Sequence, residues 1–529
     1  MPHLNRREFL GASAAAALAA KPRLGLVQSS HRKLPHPASP EDPLDYERVR
    51  DMVWKAIEYG RPRAGSLEAK IRPGSWVVIK PNIVSLRPMR GYRTGDITDM
   101  RVTKAVIEYV ARRSRAARIT VAEGGSYRRP NDPAADSVTR QNGVHVDAAT
   151  FDWGHEEFPG WAGSLSGMLS EFGAAFPNRK FDYIDLSYDA VRDPSGAFRR
   201  IEVPRTARGV GAFSLRPDYF VTNTIRNCDF LINVPVMKVH FHCGITVCLK
   251  NYVGTAPREA YATPGGFSNT LLHRDHSVED RIDPFIADLA AFHPPDYNVV
   301  DALRGLQHQE HNNGRPDQMV RTNAILAGED TVAADALAAY LMGFNPGDID
   351  FLHMAAQREM GVLDLDRAGV AGDDPVSLRR AWSKPRGWYG RCNRQWRVTR
   401  DPAAPLASWQ PYAAPTDTLD LARSCGSPPA PGTTYAAAAR VRAATHLKGF
   451  LWVGLRGLLT ASLNGETVME EENRTRYRIG QFQKPVELRP GDNLLVFRVQ
   501  PLSEEARLSL LLVGPRNDGD SLDGIRWLS

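Results

Sequence analysis

The chain has 529 residues, too long for one compact unit at about 100–200 residues per domain, so two or three domains are expected. Hydrophobic residues make up 42% and aromatics 9%, which excludes a wholly disordered chain. The net charge of +7 is mild over this length and gives no support for a nucleic-acid partner.

The basic residues are unevenly divided. Only 12 of the 67 are Lys and 55 are Arg, so each lysine is more informative than each arginine. A site needing only positive charge could have drifted to Arg in such a chain. No run of 18 or more apolar residues occurs, so no ordinary membrane span is expected.

In chain order, Asn5-Arg6-Arg7-Glu8-Phe9-Leu10 is followed by small apolar residues from Gly11 to Ala20. Paired arginines, Phe-Leu and an alanine stretch resemble a bacterial twin-arginine signal, with Ala17-Leu18-Ala19 as a small-x-small cleavage site. Residues 1–20 are therefore expected to engage the twin-arginine translocation machinery and to direct a periplasmic or otherwise exported protein. Residues 21–44, rich in Pro, Ser and His, read as a linker.

From Asp45 the spacing of Tyr46, Val49, Val53 and Ile57 predicts a helix ended by Gly60. Trp76-Val77-Val78-Ile79 predicts a strand buried on both faces, stopping at Lys80-Pro81-Asn82. Thr98 precedes a helical pattern over Arg101–Ala111, and Ile119-Thr120-Val121-Ala122 predicts a strand ending at Glu123. Further strands are predicted at Tyr183–Leu186, Phe230–Val234, Tyr297–Asp301 and Ala324–Ala327, with helices at Ile282–Phe292 and Thr331–Met342. Strand and helix alternating in this way predict an α/β domain over residues 45–375, with a layered, mostly parallel sheet of the Rossmann-like kind. Ligands of such sheets bind beyond the carboxyl ends of the strands.

Residues 376–430 read as a Trp-, Arg- and Pro-rich connector. Short apolar runs then recur between turn residues, among them the hairpin signal Asn464-Gly465. They predict an all-β, jelly-roll-like sandwich over 431–515.

The densest chemistry runs from Asn233 to Gly254, with Lys238, Lys250, His240, His242, Asn233, Thr246 and Asn251. Lysine is a compact cation that can serve as acid, base or Schiff-base former when buried. Lys80, Lys238 and Lys250 at strand ends, with Asn82, Thr98, Asn251 and Gly254 nearby, suit a shared anion site. Alternatively each lysine snorkels, or pairs with a carboxylate such as Glu123. Lys238, Lys250 and His240 are the candidates to move a proton. If His240 to His242 is extended, both imidazoles face one way and could hold a divalent metal, with His273, Asp275, His276, His308, Glu310 or His311 completing it. Otherwise His240 is structural and His242 a polar surface residue. Asp99, Glu123, Asp301, Glu329 and Asp330 lie near strand ends, where they could bind Mg²⁺ or balance the lysines. Asp330 or Thr331 could instead cap the following helix. The five cysteines include no C-x-x-C, so ferredoxin-type iron–sulfur and zinc-ribbon ligands are lacking. Cys392 and Cys425 are candidates for a bridge.

Val78-Ile79-Lys80-Pro81-Asn82-Ile83-Val84, Thr98-Asp99, Glu123-Gly124, Leu231-Ile232-Asn233-Val234-Pro235 with Lys238, His240, Thr246, Lys250-Asn251 and Gly254, and Ala327–Asp335 followed by Met342-Gly343-Phe344 resemble the bacterial and archaeal family known as domain of unknown function 362. The resemblance covers about residues 45–365. It implies a fold region and a candidate site rather than a reaction. Many members carry ferredoxin-type cysteines that this chain lacks. Leu451–Gly454, Ala461–Val468 and Leu488–Val496 resemble the galactose-binding-like jelly rolls of secreted bacterial enzymes, which implies either a structural accessory domain with no ligand or a module that docks a glycan or partner. Two functions follow from these readings. One is an exported enzyme acting on a small carboxylate, phosphate or sugar acid. The other is a non-catalytic binding protein for such an anion.

Overall fold

The computed structural model describes residues 21–84, 95–124, 148–150, 163–263, 269–308, 316–426, 432–502 and 506–528. The candidate signal, Glu310 and His311 lie outside these residues. The chain divides into two units: residues up to Pro346 with Asp350–Arg386, and Gly347–Ile349 with Gly387–Ser529.

The first unit is built on strands β1 (Arg23–Gln28), β2 (Trp76–Pro81), β3 (Arg118–Glu123), β4 (Lys180–Asp185) and β5 (Phe230–Val234). A small hairpin follows, made of β6 (Lys238–His240) and β7 (Gly244–Thr246). Strands β8 (Tyr297–Leu306), β9 (Met319–Gly328) and β10 (Gly369–Gly372) complete it. Eight of these form one sheet in the order β10-β1-β9-β8-β5-β2-β3-β4. From β8 through β5, β2 and β3 to β4 every pairing is parallel. Strand β9 runs against both β8 and β1, while β1 and β10 are parallel. Only β9 is reversed, so the expected mostly parallel α/β sheet is the architecture.

Helices α1 (Tyr46–Tyr59) and α2 (Met100–Arg113) pack on the sheet. Asp45 caps α1 by accepting from the Arg48 N–H, and Val49, Met52, Val53, Ala56 and Ile57 form its buried face. They join Val77, Ile79, Val121, Ile232 and Val299 in a continuous core. Each such side chain contributes about 1.5–3 kcal/mol on burial. Helix α3 (Thr331–Leu341) is buried almost all round, which suits its alanine-rich sequence.

Residues 21–44 are not simply a linker. Arg23–Gln28 pairs with both β9 and β10, and Leu24, Leu26 and Val27 are fully buried. A run of only four apolar residues within a Pro- and Ser-rich stretch concealed it. The first unit also extends beyond 375: Trp382 is buried, and Ser383 accepts a backbone hydrogen bond from His308.

The second unit is the expected β-sandwich, with a seven-stranded and a four-stranded sheet whose pairings are all antiparallel. Leu451, Leu510, Phe497 and Val499 meet in one core between them. Asn464 and Gly465 both adopt positive φ (53° and 92°) and join Gly457–Leu463 to Glu466–Asn473 as a two-residue hairpin turn. The unit is wider than 431–515. The supposed connector supplies strands Gln395–Thr399, Gln410–Ala413 and Leu419–Asp420, and Ile525–Leu528 pairs with Tyr435–Ala443. All five cysteines are free thiols, so Cys392 and Cys425 form no bridge. Among the described residues no helix is long and apolar enough to cross a membrane.

Candidate functional site

Parallel pairing sets Lys80 of β2 level with Asn233 of β5. The next strand, β3, ends at Glu123, so the three polar side chains emerge side by side at the carboxyl edge of the sheet. All three are buried. The Lys80 ammonium donates to Glu123 Oε2 at 2.7 Å, to Asn251 Oδ1 at 3.2 Å and to the Pro81 carbonyl at 3.2 Å. Three N–H bonds use its three protons. Glu123 Oε1 accepts from the Gly124 N–H at 2.8 Å, and Oε2 also accepts from the Ile83 N–H. Asn251 donates to Asn233 Oδ1 at 2.7 Å, and Asn233 donates to the Cys248 carbonyl. Burial lowers the Lys80 pKa, while the adjacent Glu123 charge opposes that shift. Gly254 lies over the pair. A Cβ there would come within 2.3 Å of Glu123 Oε1 and 2.8 Å of Lys80 Nζ, so only glycine allows the close approach.

Above this base lies a small, partly open cleft of about 30 Å³. Asn82 and Val84 line it from the loop after β2, and Glu123 and Gly124 from the end of β3. Lys238 and Thr246 enter from the β6–β7 hairpin, where they are direct cross-strand partners. The 3₁₀ segment Lys250–Thr255 supplies Lys250, Asn251, Val253 and Gly254, and Arg258 follows it. Lys238 donates to the Asp96 carbonyl at 2.7 Å. Arg258 Nε donates to the Gly124 carbonyl at 3.2 Å. Lys250 is half-buried and has no hydrogen-bond or ion-pair partner among the described residues. Among the described residues the cleft thus gathers three cations, and the one carboxylate lining it is already paired with Lys80.

A second carboxylate fixes this segment from below. Asp335 of α3 is fully buried and accepts from the Cys248 and Leu249 N–H groups at 2.7 and 3.0 Å. Burial pushes its pKa up to about 7 against those two bonds. Asp335 thereby positions Lys250 and Asn251, which follow directly.

The predicted residues separate into three groups. Lys238, Lys250, Asn82, Glu123, Thr246, Asn251 and Gly254 line the cleft. Lys80, Asn233, Thr98, Asp99 and Asp301 form the framework and do not line it. Thr98 donates to the Val234 carbonyl and accepts from the Asn82 N–H, tying two strand ends together. Asp99 caps α2 and binds Arg101, while its own N–H donates to Asp301 at 2.7 Å. Burial and the neighbouring Asp99 charge push the Asp301 pKa up.

Glu329 and Asp330 lie elsewhere. They follow the reversed strand β9, so they emerge beside the start of β8, where Asn298 pairs with Gly328. Glu329 meets Arg63 and Lys70, and Asp330 caps α3 by accepting from the Ala333 N–H. The capping alternative is therefore the correct one for Asp330.

The extended geometry on which the metal reading depends does not form. Strand β6 stops at His240, and residues 241–243 form the turn. His240 Nδ1 accepts from the His242 backbone N–H at 3.1 Å, and the two rings lie 6.0 Å apart across the turn. Among the described residues no three His, Cys, Asp or Glu side chains are grouped to hold a metal ion. His240 is not among the cleft-lining side chains.

Arg258 and Asp335 were not singled out as site residues. With 55 arginines in the chain, no single arginine stands out in the sequence. Asp335 contacts the site from 86 and 87 residues away in sequence, through backbone groups that carry no side-chain signature.

Residues 196–340 match the family model described as Domain of unknown function (DUF362). The DUF362 match contains the hairpin, Lys250 to Gly254, Arg258 and Asp335, while Lys80, Asn82 and Glu123 precede it. No curated protein matches the chain. Solved structures similar to it include a beta-glucosidase from Kluyveromyces marxianus, at 11% identity and TM-score 0.18 over 23% of this chain. The chain spans only 16% of the beta-glucosidase's length. The lactate racemase apoprotein from Thermoanaerobacterium thermosaccharolyticum aligns at 13% identity and TM-score 0.25, over 53% of this chain and 52% of that one. A family 35 carbohydrate binding module from an environmental isolate aligns at 14% identity and TM-score 0.15, over 20% and 77% respectively.

Proposed function

We propose that the α/β unit binds a small anion, a carboxylate, phosphate or sugar acid, in this cleft and acts on it chemically. The observation that carries the reading is the partnerless Lys250 ammonium in a cleft that already holds Lys238 and Arg258. A half-buried cation without a counter-ion is costly, and a bound anion removes that cost. Lys250 also keeps its N–H protons for the ligand, and a donor at that position is what a proton transfer to the ligand needs. Export by the twin-arginine route is part of the proposal and rests on Arg6-Arg7 and the alanine stretch after them.

Titration calorimetry on the full chain with inorganic phosphate, malonate and glucuronate tests the binding. At least one should bind, and Lys250→Ala should weaken it by tenfold or more. Unchanged affinity in that variant would remove Lys250 from the site. Binding without conversion of any probe would favour a binding protein over an enzyme.

In the second unit, Lys448, Phe450, Asn464, Glu466, Glu487 and Arg489 are among the residues lining a broad open depression of about 810 Å³. We propose this depression as the place where a glycan docks. A glycan array on the full chain, repeated with Phe450→Ala, tests that reading.

A further inference from the structure

Two buried polar atoms at the cleft have no partner among the described residues: Asn82 Oδ1 and Thr246 Oγ1. Asn82 is 8% exposed and Thr246 2% exposed, and both line the cleft. Buried polar atoms in native folds are almost always bonded, so each orphan calls for an explanation. A looser local backbone is not one. The Asn82 N–H donates to Thr98 Oγ1, and the Thr98 N–H donates to the Asn82 carbonyl, both at 2.8 Å, which fixes the residue from either side. Thr246 is held by its register against Lys238.

The chemistry of these atoms differs from that of the cations beside them. Lys238, Lys250 and Arg258 attract negative oxygens. An amide oxygen has no proton to give, so it repels an oxoanion and requires a donor. Thr246 can accept from a donor as well. A bare oxoanion would satisfy Lys250 and leave Asn82 Oδ1 unbonded. A ligand with a hydroxyl beside its anionic group would satisfy both sets.

Resting on the anion reading above, we infer that the cleft selects hydroxylated anions, such as hydroxy-carboxylates, sugar acids and sugar phosphates, through Asn82 and Thr246. The cations would hold the charged end, and the ligand hydroxyl would donate to Asn82 Oδ1. Sites that hydrogen-bond a ligand hydroxyl reject the analogue lacking it, because the protein group is then left unpaired.

The test is calorimetry on the full chain with two pairs of probes that differ in their hydroxyls: gluconate against hexanoate, and glycerol 3-phosphate against propyl phosphate. The hydroxylated member of at least one pair should bind ten- to a hundredfold more tightly. Asn82→Leu should reduce that preference to threefold or less while sparing the weaker member. Lys250→Ala should weaken both members together. Because the wild-type comparison needs no variant, a misfolded Asn82→Leu would leave the test intact. Equal binding within each pair, still dependent on Lys250, would overturn the hydroxyl inference and leave the anion reading standing. Failure of all four probes to bind would overturn both.

Discussion

Lys80→Met tests whether the buried lysine is a pillar beneath the site. The Lys80–Glu123 pair is 2.7 Å long, with side chains 0% and 3% exposed. At an effective dielectric of about 20, its Coulomb attraction is roughly 6 kcal/mol. Desolvation of two ions opposes that gain, so the intact pair contributes far less than this figure. Removing one partner leaves the other charge buried and uncompensated, which typically costs about 3–5 kcal/mol. Urea denaturation of Lys80→Met at pH 7 should therefore show a loss in that range. Lys80→Met combined with Glu123→Gln should recover much of it, because the amide keeps an acceptor for the Gly124 N–H without the charge. The cycle should give a coupling of about 2 kcal/mol or more. A single variant within about 1 kcal/mol of wild type, or additive losses in the double variant, would show that the pair does not support the cleft.

Lys238→Arg keeps the charge but replaces a point donor seated on the Asp96 carbonyl with a broad planar fork. It should weaken binding of whichever anion the wild type takes, by tenfold or more in calorimetry; unchanged affinity would remove any special need for lysine there. Asp335 carries a pH signature: its pKa is about 7 in the fold against an ordinary 3.8. The folded state therefore holds this proton more tightly, so its stabilising effect is complete below pH 4 and is lost as pH rises to 7, about 4 kcal/mol at most. Asp335→Asn should flatten that decline, measured as urea stability at pH 4.5 and 7.5, and an unchanged slope would rule Asp335 out as its source. A chain ending at Arg386 should keep a cooperative thermal transition, because every strand of the eight-stranded sheet lies before that residue. A broad, non-cooperative melt would show that the sandwich is needed to hold it.

The parts of this molecule that were legible before its structure are those that local chemistry encodes. Apolar runs ending in polar residues marked β2, β3, β5 and β8, and apolar residues recurring every three to four positions marked α1. Strand direction is not local. The run Ala324–Ala327 looks like its neighbours, yet antiparallel pairing carries Glu329 and Asp330 away from the site. Whether a polar residue serves a ligand or the frame is not local either. Lys80, Thr98, Asp99 and Asp301 have the same character in sequence as Lys238 and Asn82, and only the partners they meet separate them. Composition also misled where it was treated as a boundary signal, at β1 and in the strands between Gln395 and Asp420.

That division of roles explains why so many polar residues crowd a small cleft. The lower layer, Lys80 with Glu123, Asn251 and Asn233, is saturated with internal hydrogen bonds and shielded by Gly254. It has little left to offer a ligand, but it holds the Lys250–Gly254 segment at a fixed height over the strand ends. Asp335 holds the same segment from the helix behind. The upper layer, Lys250 with Asn82 and Thr246, is unsatisfied, and it can stay so because the layer below denies those groups room to collapse onto one another. Buried networks are costly when partly satisfied. Placing the unsatisfied groups along the wall of a cleft is the arrangement expected of a preformed binding site rather than of a stabilising core.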